Sequence, residues 1–330
     1  MADEGLAEKA LAILHEKSEK AIKRAKELIL QEKFRCEKAK EALRYYASTW
    51  NDTTRPGVLA LAHEAVGGKL REVVPLQTAM LFIDAAMDIH DDIIDKSTTK
   101  ASKETLYGKF GEEIALLVGD ALLVKGFNYL HKVTEKLPLN RKKAINDVVK
   151  KFLFEVTDAH IQESMLKRDK WNVEPAEYFK VLEQKAADIE GHMRIGAIFG
   201  GGSAREIEAL GIYGKCLGTL LTVRSEIIDI YEADELKNRI TYEFPPLPLL
   251  YALKNEELRF IVQQLLSSKE IGENEINKLL DVVYSTPQFA FLRRHLEKLE
   301  KIAIKSLINI SKKEKRNKLT LFIDAALEDL

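Results

Sequence analysis

The amino-acid sequence predicts an all-α protein, and three observations support this prediction. Apolar residues recur with the helical period along most of the chain, as they do at Ile114, Leu117, Val118, Ala121 and Leu122. Clear strand patterns, in which apolar and polar residues alternate, are absent. The 330 residues include only 8 prolines and 17 glycines, so the turns that interrupt helices are few. We therefore expect long helices packed around a substantial core.

Short segments rich in turn-forming residues divide the chain into predicted helices of about 15 to 30 residues. These segments lie at residues 51–56, 66–69, 97–103, 136–141, 171–175, 200–203, 243–248 and 285–288. None of them is long enough to be an interdomain linker, and the sequence shows no internal repeat. The sequence therefore predicts one all-α domain over residues 1–330.

Composition and charge exclude several function classes. The formal net charge of −1 gives no overall attraction to nucleic acid, so we expect no nucleic-acid partner. Cys36 and Cys216 are far apart and lack the spacing of metal ligands, which favours free thiols in a reducing cytoplasm. The N-terminal segment carries acids early and lacks the pattern of a signal peptide, and no uninterrupted apolar run approaches the ~20 residues needed to span a bilayer. We therefore expect a soluble, cytoplasmic protein without a membrane span.

One predicted helix, which begins near residue 70, is apolar nearly all round and should be buried, yet it carries a stripe of acids. Asp84, Asp88, Asp91 and Asp95 share one face, and Asp92 lies beside them. Unpaired buried carboxylates are costly, so these side chains must be protonated, paired, hydrated or bound to cations. One interpretation is a polar seam that is hydrogen-bonded to neighbouring helices. The close set Asp91, Asp92 and Asp95, here called the first acidic motif, favours a Mg²⁺ site shared with a diphosphate.

Two further features point in the same direction. Lys185 lies on the apolar stripe of its predicted helix, where it either extends its ammonium group to the surface or faces an interior anion such as a metal-bound phosphate. Glu226 and Asp229, here called the second acidic motif, stand three apart on another apolar helix. Alone, that spacing is a weak signal, because acids at this spacing usually lie on a surface.

Five segments of the chain carry a resemblance to a known family. They are HDDIID (90–95), YGKFGEEIALLVGDALL (107–123), QKAADIEGHMRIGAIFGG (184–201), LTVRSEIID (221–229) and PLPLLYAL (246–253). In this order they resemble the trans-isoprenyl diphosphate synthases, the head-to-tail prenyltransferases of the farnesyl and geranylgeranyl diphosphate synthase type. The resemblance extends over about residues 30–330. It implies an all-α bundle of long helices around a central cavity, usually assembled as a homodimer.

The resemblance also implies the chemistry and the residues of the site. A Mg²⁺-dependent prenyltransferase ionises an allylic diphosphate, and the double bond of isopentenyl diphosphate then attacks the allylic carbon. The implied metal ligands are Asp91, Asp92, Asp95, Glu226 and Asp229. The implied substrate-binding residues are Arg55, Lys100 and Lys185, and the implied catalytic residues are Lys185 and Asp91.

The chain departs from the family pattern mainly where isopentenyl diphosphate should bind. Asp52 and Thr53 stand where the family has a lysine and an arginine, and Asp84 stands where it has a histidine. The arginine pair that follows the first motif is replaced by Lys100-Ala101, and the first acid of the second motif is replaced by Ser225. An acid next to a diphosphate is repulsive unless a cation lies between them.

Three hypotheses therefore remain open at the level of the sequence. The chain is an active synthase with an unusual arrangement of cations, or it is a catalytically impaired subunit of a heteromer whose partner completes the site. Alternatively, it is a diphosphate-binding relative without elongation activity. An assay with Mg²⁺, an allylic diphosphate and isopentenyl diphosphate separates the three.

Overall fold

The computed structural model describes residues 5–100, 103–254, 256, 259–260 and 273–328, and within them it confirms the all-α prediction. The α-helices are α1 (Leu6–Leu30), α2 (Glu37–Thr49), α3 (Thr54–Ala65), α4 (Leu70–Ile94), α5 (Leu106–Phe110), α6 (Glu112–Thr134), α7 (Leu139–Leu166), α8 (Pro175–Lys185), α9 (Ala187–Phe199), α10 (Ala204–Tyr231), α11 (Ala233–Tyr242), α12 (Leu247–Ala252), α13 (Glu273–Tyr284), α14 (Pro287–Ser306) and α15 (Lys313–Leu327). Strand structure in the described residues is confined to an antiparallel hairpin of β1 (Thr99–Lys100) and β2 (Lys103–Glu104).

The chain groups into two compact units. Unit 1 comprises the residues up to Val148 together with His192–Ile207, and unit 2 comprises Val149–Gly191 together with the residues from Glu208 onward. The first acidic motif belongs to unit 1 and the second to unit 2. That residues 1–330 form a single domain stays a prediction.

Helix α4 forms the core of unit 1, as its apolar composition predicts. It packs against α1, α3 and α6, and every side chain from Ala79 to Ala86 is at most 1% exposed. Full burial of a leucine, isoleucine or phenylalanine side chain contributes roughly 1.5–3 kcal/mol relative to exposure. The buried helix expected to begin near residue 70 is confirmed at Leu70–Ile94, with its acids at the C-terminal end.

Two glycines allow α6 to lie very close to α4. A Cβ atom added at Gly126 would lie 2.6 Å from Cγ1 of Ile83, and one added at Gly119 would lie 2.7 Å from Nε2 of His90. Real Cβ atoms do not come so close to their neighbours, so a larger residue at either position would push the helices apart. The acids of α4 are therefore carried on a helix whose position is set by close packing.

Helix α6 qualifies one expectation from the sequence. Asp120 and Lys125 interrupt its apolar residues, so no uninterrupted run of spanning length occurs there. By length and composition alone, however, α6 is the one helix among the described residues that is long and apolar enough to cross a membrane. Core helices of soluble proteins pass the same test, and α6 packs along α4. The absence of a membrane span stays a prediction.

Unit 2 buries two tyrosines whose hydroxyl groups have different partners. Tyr213 on α10 donates a hydrogen bond to the backbone oxygen of Leu319, at 2.8 Å, and so links α10 to α15. Tyr178 on α8 stacks against Phe244, with ring centroids 4.2 Å apart. Both tyrosines are fully buried. The hydroxyl of Tyr178 instead contacts the carboxylates of Glu163 and Glu226.

Candidate functional site

The first acidic motif occupies the C-terminal end of α4. Asp91 and Asp92 lie in the last turn, and Asp95 is the C-cap residue. The carboxyl end of a helix already carries a partial negative charge, so three carboxylates there repel both one another and the helix dipole. Asp92 is buried, whereas Asp91 and Asp95 are partly exposed. This end of α4 therefore requires a cation.

A Schellman motif ends α4 and turns the chain back toward the acids. The Ser97 N–H donates to the Asp92 backbone oxygen at 2.9 Å, and the Lys96 N–H donates to the Ile93 oxygen at 3.3 Å. Lys96 takes a left-handed conformation with φ of 55°, which costs a residue with a Cβ atom about 1 kcal/mol. The tight turn directs the chain into β1.

The hairpin of β1 and β2 brings Lys100 to the first acidic motif. Thr105 closes the hairpin, because its hydroxyl donates to the Ser97 oxygen at 2.6 Å and its N–H donates to the Thr98 oxygen at 2.9 Å. The Lys100 Nζ then lies 2.6 Å from Oδ1 of Asp92 and 3.9 Å from Oδ2 of Asp91. Ala101, the second departure from the family's arginine pair, lies outside the described residues.

The ionisation of this motif reflects its crowded negative charge. Burial raises the pKa of the Asp92 carboxyl to about 6, although the Lys100 ammonium opposes this rise. Burial alone would lower the pKa of Lys100, but the carboxylates of Asp91, Asp92 and Asp88 outweigh it and raise that pKa. Three carboxylates at one helix end are the hard oxygen ligands that Mg²⁺ prefers. The donor set of Asp91, Asp92 and Asp95 therefore fits Mg²⁺.

One turn earlier on α4, Asp88 is paired with Arg55. The two terminal nitrogens of Arg55 donate to the two oxygens of Asp88, at 3.0 and 2.9 Å, and Nη1 also donates to Asp52 at 3.1 Å. The other oxygen of Asp52 accepts the backbone N–H groups of Thr54 and Arg55, at 3.0 and 3.3 Å, at the start of α3. Asp52 is therefore hydrogen-bonded within the fold, and one of its partners is Arg55, the residue predicted to bind substrate.

Asp84, the acid in place of the family's histidine, also has a partner. Its Oδ2 atom lies 3.1 Å from Nε2 of His192, and the two side chains are 1% and 0% exposed. The requirement that a cation or hydrogen-bond donor accompany this acid is therefore met within unit 1. Nothing in the local sequence indicates the pairing, since the two residues stand 108 positions apart.

In unit 2, Lys185 at the end of α8 faces an acid of α7. Its Nζ donates to Oε2 of Glu163 at 2.6 Å. Burial alone would raise the pKa of the Glu163 carboxyl, but the cations of Lys185, Arg239 and Lys167 outweigh burial and lower it to about 2. Lys185 thus faces an interior anion, as one of the two interpretations of its position requires, and that anion is a side chain of the protein.

The second acidic motif is enclosed by Arg239 of α11. Nη2 of Arg239 donates to Oε1 of Glu226 at 2.6 Å, and Nη1 donates to Asp229. The other oxygen of Glu226 accepts the Leu247 N–H at 2.8 Å, at the start of α12. The Tyr178 oxygen lies 3.1 Å from Glu163 and 3.2 Å from Glu226, so one hydroxyl proton serves two carboxylates.

The predicted residues are distributed over the two units. Asp91, Asp92, Asp95 and Lys100 lie together in unit 1, and Arg55 lies one helical turn away through Asp88. In unit 2, Tyr178 and Glu163 link Lys185 to Glu226. Sequence reasoning named Asp88 on the acidic stripe but not its pairing with Arg55. It missed the partners His192, Glu163, Tyr178 and Arg239, which carry no local signal.

Comparison with known proteins decides the family. A profile of the polyprenyl synthetase family matches residues 36–283, which is most of the chain. The chain belongs to the polyprenyl synthetase family. The resemblance stated from the five segments is therefore confirmed, and both acidic motifs lie inside the matched range.

Individual relatives of this family agree with that assignment. The chain is 32% identical over 207 residues to a geranylgeranyl diphosphate synthase of Methanosarcina mazei, covering 62% of this chain and 63% of that protein. It is 31% identical over 207 residues to the large subunit 1 of a heterodimeric geranylgeranyl pyrophosphate synthase of Arabidopsis thaliana, covering 60% and 56%. The matches thus span less than two thirds of the length of these curated relatives.

The fold also matches that of a solved structure. The geranylgeranyl pyrophosphate synthetase of Pyrococcus horikoshii superposes with a TM-score of 0.84 at 21% identity. The superposition covers 98% of this chain and 99% of that one. This likeness establishes the predicted isoprenoid-synthase-type bundle of long helices.

Proposed function

We propose that the protein is a Mg²⁺-dependent trans-prenyltransferase that condenses an allylic diphosphate with isopentenyl diphosphate into a longer isoprenyl diphosphate. The observation that carries the proposal is the first acidic motif, with three carboxylates at the end of a buried helix in a chain of the polyprenyl synthetase family. The family implies the use of a divalent metal ion, and the proposed ion here is Mg²⁺. Bound Mg²⁺ would supply Lewis-acid stabilisation of the leaving diphosphate.

The residues of the chain have distinct roles in this proposal. Asp91, Asp92 and Asp95 would hold the metal ion, and the charge at the end of α4 explains why they attract it. Lys100 would give up its contact with Asp92 and donate to a diphosphate oxygen, since about half of its side chain is exposed and an exposed ion pair is broken at little cost. Lys185 is the proposed catalytic and diphosphate-binding lysine, because its segment, residues 184–201, resembles a segment of the family.

The isopentenyl diphosphate site is the least complete part, and this favours a second candidate function. Arg55, the one basic residue retained there, already donates to Asp52 and to Asp88. A diphosphate that bound Arg55 would have to displace two carboxylates from it. Each displacement would break a charge-assisted hydrogen bond, which costs about 1.5–3 kcal/mol. The alternative is a subunit that acts in a heteromer. One relative carries the name of a heterodimeric large subunit, which supports this alternative.

One assay tests the proposal and its alternative. Purified protein, Mg²⁺, allylic diphosphates of several lengths and labelled isopentenyl diphosphate should give an elongated product. The matched variant Asp91→Asn with Asp95→Asn should lose Mg²⁺-dependent binding of the allylic diphosphate, while its helical circular dichroism remains. Elongation only after a second synthase subunit is added would establish the heteromer. Unchanged binding in the double variant would contradict the assignment of the metal site.

We further propose that the chain forms a dimer through α6. Leu117 and Val124, which stand seven positions apart on a common face of α6, are 67% and 60% exposed, and Leu116 and Phe127 beside them are also exposed. Apolar surface of this kind on a helix is typical of an interface. Light scattering of the wild type should give about twice the chain mass of 37.4 kDa. Leu117→Lys with Val124→Lys should give the monomer mass, and a monomeric wild type would contradict the proposal.

A cytoplasmic location is proposed on the strength of the two free thiols at Cys36 and Cys216. Cell fractionation tests this proposal together with the expectation of no membrane span. The protein should remain in the supernatant after high-speed centrifugation. Recovery in a membrane pellet that only detergent releases would instead assign α6 to the bilayer.

A further inference from the structure

We infer that the second acidic motif of this chain holds no metal ion, because the guanidinium group of Arg239 is its built-in cation. The inference rests on the proposed Mg²⁺-dependent function, since it concerns where the metal ions of that function bind. The family resemblance implies metal ligation by Glu226 and Asp229. The geometry of these residues does not fit that role.

The oxygens of Glu226 are already used. Oε1 accepts from Arg239 at 2.6 Å and lies 3.2 Å from the Tyr178 hydroxyl. Oε2 accepts from the Leu247 N–H at 2.8 Å. The side chain is only 6% exposed. Mg²⁺ normally keeps several of its waters, and a carboxylate enclosed in this way offers no room for a hydrated ion.

Hydrogen bonds also fix the position of Arg239. Its Nε donates to the Phe244 oxygen at 3.1 Å, and its two terminal nitrogens donate to Asp229, Glu226 and Tyr178. An arginine has five N–H donors in a planar fork, and this arrangement uses all three of its nitrogens. Arg239 is 6% exposed, so its release would leave a buried cation without its partners.

Electrostatics disfavours a metal ion at the same place. Both terminal nitrogens of Arg239 donate to the acids of the second motif, Nη2 to Glu226 and Nη1 to Asp229. An arginine side chain in a protein stays protonated, so a fixed positive charge lies beside both acids. A divalent cation that bound Glu226 would lie close to this fixed positive charge and be repelled.

The substitution at Ser225 agrees with this picture. Ser225 stands where the family has the first acid of the second motif, and its hydroxyl is a poorer metal ligand than a carboxylate. It is exposed, whereas Glu226 is buried. The second motif therefore lacks one carboxylate and uses the remaining two as partners of Arg239. The metal ions of the loaded protein are then expected at the first motif.

The experiment counts bound Mn²⁺ by electron paramagnetic resonance, with and without an unreactive thiolo analogue of geranyl diphosphate. Asp229→Asn is the main variant, because Asp229 is partly exposed and the substitution preserves its shape. We expect it to bind as many Mn²⁺ ions as the wild type, with dissociation constants within about twofold. Asp95→Asn is the matched control in the first motif, and we expect it to lose an ion or to bind about tenfold more weakly.

The outcomes separate this inference from the proposed function. Fewer bound ions in Asp229→Asn, with unchanged circular dichroism, would overturn the inference. Glu226→Gln gives an independent count, and the same criterion applies to it if it folds. A wild type that binds no Mn²⁺, or an Asp95→Asn variant that binds like the wild type, would instead contradict the metal site of the proposed function.

Discussion

The two acidic motifs have similar spacing on their helices but very different cations. At the end of α4, Asp92 is paired with Lys100, whose side chain is 54% exposed and reaches the acid from a surface hairpin. On α10, Glu226 is paired with Arg239, which is buried and donates to three other groups as well. An exposed lysine exchanges its partner at little cost, whereas a buried arginine does not. Acid spacing alone therefore does not identify a metal site, because the burial of the counter-ion decides whether a ligand can replace it.

The largest expected effect is the loss of the buried cation. Arg239→Met should lower the free energy of unfolding by about 3–5 kcal/mol, because it leaves Glu226 and Asp229 unpaired. Lys100→Met should lower it by at most about 1 kcal/mol, because its ion pair is exposed to solvent. Urea unfolding followed by circular dichroism measures both. Arg239→Met combined with Glu226→Gln and Asp229→Asn should recover much of the loss, and equal effects of the two single substitutions would remove the contrast.

The next largest effect concerns the stability of the fold at low pH, to which Glu163 contributes. Its pKa is about 2 in the folded protein and 4.5 as the ordinary value, a difference worth about 3 kcal/mol at neutral pH. A lowered folded pKa gives stability that is present above pH 4.5 and is lost as the pH falls toward 2. Glu163→Gln should therefore be less stable than the wild type at pH 7, and the gap should close between pH 4.5 and 2.

The control for this prediction lies on the same helix. Asp147→Asn, on the exposed face of α7, should change the unfolding free energy by less than about 0.5 kcal/mol at every pH. A gap between wild type and Glu163→Gln that is constant with pH would show that the Lys185 pair does not stabilise the fold in this way.

A smaller effect tests whether Lys100 is an exchangeable cation. Lys100→Met should strengthen Mn²⁺ binding at the first motif in the absence of diphosphate, because the lysine and the metal ion compete for Asp91 and Asp92. A gain of about 1–2 kcal/mol corresponds to an affinity about fivefold to thirtyfold higher. Titration calorimetry with Mn²⁺ measures this change. Weaker binding in the variant would mean that Lys100 helps to hold the ligands in place.

The smallest effect concerns the turn that follows the first motif. Lys96→Gly should raise the free energy of unfolding by about 0.5–1 kcal/mol, since glycine takes the left-handed conformation without strain and this gain exceeds its extra chain entropy. Thermal unfolding measures the change, with Lys96→Ala as the control that keeps the strain. A destabilised glycine variant would show that the Lys96 side chain contributes contacts that outweigh the strain.

The sequence predicted the elements whose signal is local and missed those that depend on distant partners. Helix α4 and its acids follow from composition and periodicity, and its predicted start near residue 70 is confirmed at Leu70. The need of Asp84 for a partner was also predicted, but its identity was not, because His192 lies on another helix. Arg239 lies in an ordinary polar stretch of α11, and only packing shows that it faces the second motif. Because Arg239 was not recognised as their partner, Glu226 and Asp229 were predicted to be metal ligands.

The hairpin that delivers Lys100 has a consequence for the order in which the protein folds. Asp92 and Lys100 are eight positions apart, and the contacts of Ser97 and Thr105 that fix them are equally local. The network of unit 2 joins Tyr178 to Glu226 and to Arg239 across 48 and 61 positions. Contacts between residues that are near in sequence cost less chain entropy to form, and they therefore form earlier. In pulsed hydrogen exchange we expect the amides of Ser97 and Thr105 to gain protection before that of Leu247. During folding, the C-terminal end of α4 and its hairpin would thus form before Arg239 pairs with the second acidic motif.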